Sequence, residues 1–141
     1  MTASLSPTAP LTSRLRTPGI VALAAIAVGT ALVLRDPHEH GSWGVCPLLV
    51  ITGLPCPGCG GLRATSDLLH GRLAEAASSN LYAVLTVGIA AIAFASWTAA
   101  LVRGREWAGQ RHLPRASIVW FTGLVAFGLL RLVPGMTELR P

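Results

Sequence analysis

The chain contains no lysine, and only six of its 141 residues are acidic. Charged residues make up 12%, about half the usual share of a soluble domain, against 52% hydrophobic ones. So little polar surface cannot cover a water-facing globule. The length fits one domain at most. Asp, Glu, Lys and His are missing from the long apolar blocks, and proton relays and ion paths through membranes are built from such residues. Their absence argues against a pump or coupled transporter working alone. No internal repeat, heptad or low-complexity tract is present.

The apolar residues fall in three blocks, over 19–34, 81–102 and 116–130, the last continued past Arg131 by Leu132 and Val133. A helix needs about 20 apolar residues to cross the hydrocarbon. The second block passes outright. The first passes when counted from Thr17 and Pro18, with proline early in the helix. The third passes if Arg131 extends its guanidinium to the interface. The expected architecture is an all-α membrane protein with spans at about 17–34, 81–102 and 116–133. A disordered tail over 1–16 precedes a single helical domain over 17–141, and the motif loop 35–80 joins the first two spans. Arg35-Asp36-Pro37 follows the first block and is no small-x-small cleavage site, so the block reads as a span rather than a cleaved signal.

Arginine sets the orientation. The N-terminus and the loop 103–115 share one side, with Arg14, Arg16, Arg103, Arg105, Arg111 and Arg115 against Glu106 alone. The other side has Arg35, Arg63, Arg72, Arg131 and Arg140, balanced by Asp36, Glu39, Asp67, Glu75 and Glu138. Positive charge beside span ends stays in the cytoplasm. A multi-pass protein of the cell membrane follows, with a cytoplasmic N-terminus and an extracytoplasmic loop 35–80. The net charge of +5 then reflects topology and contact with anionic lipid, and calls for no nucleic-acid partner.

Within that loop, residues 46–55 form a mostly apolar run too short to cross a bilayer and are read as an interfacial helix. Pro47 and Pro55 punctuate its ends, so the run can dip and return, bringing Cys46 back beside Cys56 and Cys59. Residues 60–79 read as helical with an interruption at Gly71, and Asn80 is placed to cap the second span. Ala91, Ala95 and Ala99, with Ala25 and Gly29, are small residues at four-residue spacing, where helices could approach closely.

All three cysteines, Cys46, Cys56 and Cys59, lie within fourteen residues. If a helix starts near Cys59, then Cys59, Arg63, Asp67 and His70 share an arc of about 80°, with Ser66 beside them. A thiol at a helix N-terminus near an arginine has its thiolate favoured. On this reading Arg63→Ala disturbs the loop and Arg72→Ala is nearly silent. The plainer alternative is a surface Arg63–Asp67 pair with a solvated His70. Two chemistries compete for the cysteines. Cys-Pro-x-Cys-Gly has the shape of a zinc knuckle, for which Cys46, Cys56 and Cys59 give three ligands and His70, His38 or His40 a fourth. Alternatively, Cys56 and Cys59 form a redox pair. No strand–helix–strand pattern surrounds them, so a thioredoxin fold is not expected. Cys46 could also cross-link to one of the pair.

Cys46-Pro47, then Thr52 to Ala64 with Cys56-Pro57-Gly58-Cys59-Gly60 and Arg63-Ala64, then Leu69-His70-Gly71, occur in this order. This pattern, over roughly 43–95, resembles the bacterial domain-of-unknown-function 2752 family of small membrane proteins. The resemblance implies a cysteine loop between spans and marks a site at Cys46, Cys56, Cys59 and Gly60; it implies no reaction. The chain departs from that pattern at Gly71-Arg72, where the family commonly has Gly-Asp, and at Asn80-Leu81, where it often has Asn-Pro. The sequence reading is therefore a membrane module holding zinc, iron or a structural disulfide, alone or with a membrane-protein partner or a second copy. No catalytic residue is assigned. The alternative is a membrane thiol–disulfide oxidoreductase using Cys56 and Cys59.

Overall fold

A computed structural model describes residues 10–39, 41–44 and 46–132. They form five α-helices and no strand: α1 (Leu11–Leu34), α2 (Pro47–Thr52), α3 (Gly61–Leu69), α4 (Leu73–Val102) and α5 (Leu113–Leu130). A short 3-10 turn, Ala108–His112, leads into α5. Three helical stretches, Leu11–Leu34, Leu73–Val102 and Ala108–Leu130, are long and apolar enough to cross a membrane. Residues 1–9 of the expected tail, His40, and Val133, Glu138 and Arg140 lie outside the described residues.

The helix boundaries differ from the apolar blocks in an instructive way. α1 starts at Leu11 behind Pro10, ahead of the expected boundary at 17, so Pro18 is inside the helix rather than in its first turn. α4 is helical from Leu73, but Asn80 is extended (φ −165°, ψ 94°) and splits it into a short polar segment and the apolar span. The Asn80 side-chain oxygen accepts the Ala83 N–H at 2.9 Å, the bond of an N-cap. The second span therefore begins at Leu81, as the position of Asn80 predicts.

Burial is inverted relative to a water-soluble fold. Large apolar side chains along the spans face outward, including Leu23, Ile26, Ile89, Ile92, Ile118 and Val119. Four of the buried residues are polar or charged: Ser66, Asp67, Asn80 and Arg131. Lipid covers the first set at no cost, while buried polar groups need partners inside the protein. These partners are concentrated at one end of the spans, where α3 packs on α4 and both touch α1. Gly29 of α1 admits the Leu69 side chain of α3, so this small residue serves the cap and not a contact between spans. α5 joins α4 through Tyr82, whose hydroxyl donates to the Trp120 carbonyl, and through Trp120, whose indole N–H donates to Thr86 Oγ1 at 3.1 Å.

Candidate functional site

The cysteine loop is a turn followed by a helix, with a left-handed hinge between them. The Cys59 N–H bonds the Cys56 carbonyl at 3.0 Å and closes the Cys-Pro-Gly-Cys turn. Gly60 then adopts φ +81°, a conformation that glycine reaches without a Cβ penalty, and caps α3. This hinge corrects the expected helical stripe. Cys59 lies outside α3, so it shares no helical face with Arg63, Asp67 and His70.

Cys46, Cys56 and Cys59 come together in space, with their sulfurs all within 4.8 Å of one another. All three are half-buried free thiols. The Cys56 and Cys59 sulfurs lie 3.1 Å apart, and the Cys56 N–H points at the Cys59 sulfur at 3.3 Å. Cys46 returns through α2, whose proline at N1 and left-handed Gly53 at its end turn the chain back on itself.

The three thiols do not titrate alike. Cys46 is lowered to about 7, first by the backbone N–H of Leu49 and then by the thiols of Cys56 and Cys59. Cys59 is pushed up to about 12, chiefly by burial and then by the thiol of Cys56. One thiolate, at Cys46, is thus favoured within a hydrogen-bonded set. In metal-free protein, iodoacetamide is expected to modify Cys46 first. Its rate should rise through about pH 7, because a lowered pKa puts the thiolate above that pH and the thiol below it. Cys59 should stay unmodified at pH 8. Peptide mapping that found equal rates at both positions would contradict this assignment.

Other candidate residues lie around the cluster without joining it. Among the described residues, no His, Asp or Glu completes the three-sulfur group. His70 caps α3, with its Nδ1 on the Ser66 carbonyl at 2.8 Å. Arg63 donates to the Pro37 carbonyl at 3.3 Å rather than pairing with Asp67. Asp67, 1% exposed, takes Arg72 at 2.6 Å and lies 3.4 Å from His38 Nε2 and 3.5 Å from the Ser79 hydroxyl. His38 also holds Asp36 at 2.8 Å. Arg72, expected to be nearly silent, is instead the ion-pair partner of a buried carboxylate.

Two residues that hold the loop escaped the sequence reading. The Asn80 side-chain NH2 donates to the Pro57 and Cys59 carbonyls at 3.1 and 3.0 Å. Arg131, expected to reach outward to the interface, is fully buried. Its Nη1 donates to the Cys56 and Cys59 carbonyls at 3.2 and 2.9 Å, and its Nη2 to Ser79 at 3.1 Å. The signal available was that a charge at the end of an apolar span marks a functional candidate by default. Below the loop, Gly128 of α5 lets Pro57 approach; a Cβ there would come within 3.2 Å of the proline ring.

No curated protein and no solved structure matches the chain. The model of the family described as "Protein of unknown function (DUF2752)" matches residues 46–94, so this chain resembles that family from the first cysteine of the cluster to the middle of the second span.

Proposed function

We propose that this protein is a multi-pass cell-membrane module that holds one divalent thiophilic ion, zinc or iron, on Cys46, Cys56 and Cys59 at the extracytoplasmic surface. The convergence of three sulfurs within 4.8 Å carries this reading. Three thiolates around a tetrahedral zinc sit about 3.8 Å from each other, given Zn–S bonds of about 2.3 Å. The backbone N–H directed at the Cys59 sulfur is a contact that zinc knuckles use to settle thiolate charge. Water, His40 or a donor from a membrane-protein partner supplies the fourth position. The role is binding or assembly.

Orientation rests on the arginines of the 103–115 loop, which belong in the cytoplasm. A membrane-impermeant maleimide added to intact cells should then label Cys46 once metal is removed. Labelling only after lysis would overturn the extracytoplasmic placement.

The second reading is thiol–disulfide exchange, favoured by the 3.1 Å approach of the Cys56 and Cys59 sulfurs. There the two thiols would pass two electrons and two protons to a partner disulfide. Elemental analysis with thiol counting on purified protein separates the two. One equivalent of zinc or iron per chain, with all three thiols released on chelation, supports the metal module. Protein without metal that gives a mixed disulfide when Cys59 is replaced supports exchange.

A further inference from the structure

We infer that Arg131 is the charge partner of the thiol cluster: its guanidinium, carried on the end of α5, neutralises the metal–trithiolate centre and holds its two loop cysteines in place. This rests on the reading of the cluster as a metal site. Taking a guanidinium wholly out of solvent is unfavourable unless opposite charge meets it. Arg131 is 0% exposed, and three backbone carbonyls point at it, those of Cys56, Cys59 and Ser79. Two of these belong to cluster cysteines, so the positive charge lies within one residue's breadth of two of the three sulfurs. The Phe127 ring lies on the guanidinium, 4.8 Å from its carbon to the ring centre.

Carbonyl dipoles offset part of the charge. A divalent ion on three thiolates carries a net charge of −1 and offsets the rest, so centre and arginine together are neutral. A hydrogen-bond fork that holds the ligands while supplying the compensating charge is work that arginine does and a point cation does only in part. Asn80 binds the Pro57 and Cys59 carbonyls without any charge. It therefore serves as the internal comparison, a positioning residue whose loss alters geometry and leaves the charge balance intact.

The test is Co2+ binding to the full chain in detergent, followed by its sulfur-to-metal charge-transfer absorption. Three variants are compared with the native protein: Arg131→Gln, Arg131→Lys and Asn80→Ser. Loss of an outer partner of a metal ligand costs about 10–100-fold in affinity. Arg131→Gln, which keeps amide donors but no charge, should fall by that factor. Arg131→Lys should recover most of it and lie above Asn80→Ser. Equal loss in Arg131→Lys and Arg131→Gln would overturn the charge role and leave a positional one. Native-like affinity in Arg131→Gln would overturn both. If neither Arg131 variant folds even with saturating Co2+, the guanidinium serves the fold, and the proposal is likewise overturned. Native protein that binds no Co2+ would instead refute the metal reading itself, a result distinct from every variant outcome.

Discussion

Cys46→Ser should strip the protein of its metal as completely as Cys59→Ser does, with affinity falling by more than about 100-fold. Losing an outer-shell partner alone costs 10–100-fold, and here a first ligand is lost. The serine hydroxyl does not ionise in the accessible range, so it cannot stand in for a thiolate. The substitution is also unusually clean. Cys46 is the N-cap of α2, half-buried, and serine is among the preferred residues at that position. The loop should therefore keep its shape while losing the ion, and circular dichroism should not change. Ten residues separate Cys46 from Cys56, so a Cys56–Cys59 pair acting alone would not notice the change. Full metal occupancy in Cys46→Ser, measured by elemental analysis, would sink the three-sulfur site.

The second large effect is expected at Arg72. Its removal leaves the Asp67 carboxylate, 1% exposed, without the cation that it meets at 2.6 Å. A charged group deprived of its partner in the interior costs about 2–3 kcal/mol, moderated here because Arg72 itself is half-exposed. Arg72→Ala should lower the melting temperature in detergent well below that of Arg63→Ala, which gives up one 3.3 Å bond to a carbonyl. Adding Asp67→Asn to Arg72→Ala should recover part of the loss, because the uncompensated charge is then gone. Equal melting temperatures for Arg72→Ala and Arg63→Ala would refute this ranking.

That ranking reverses the one drawn from the sequence, and the reason is local. Asp67 and Arg72 are five residues apart, a spacing that no single helix face joins. They meet because Gly71, at φ +74°, turns the chain between α3 and α4 and brings Arg72 back over Asp67. Gly60 acts in the same way one helix earlier, taking Cys59 off the face on which Arg63 and Asp67 lie. A helical projection assumes continuous right-handed backbone, and two left-handed glycines invalidate it. The spans themselves were legible, because a bilayer demands length and apolarity, which a linear sequence displays directly. The convergence of the cysteines was legible through Pro47, Pro55 and Gly53. The role of Arg131 was not. A guanidinium near a span end satisfies the same composition rule whether it reaches for lipid headgroups or turns inward, and only the folded loop distinguishes the two.

Asn80 acts as a depth gauge. One oxygen of its side chain starts the span at Leu81, and the nitrogen on the same carbon grips the cysteine turn. The 22 residues from Leu81 to Val102 rise about 33 Å, close to the thickness of the hydrocarbon layer. The sulfurs are thus held by one amide at the level where acyl chains give way to headgroups. An ion reaching them from outside must shed bulk water in the headgroup layer and arrive where α2 itself exposes Val50 and Ile51. Exchange at such a depth is slow for hydrated ions and hydrophilic chelators and faster for lipid-soluble ones.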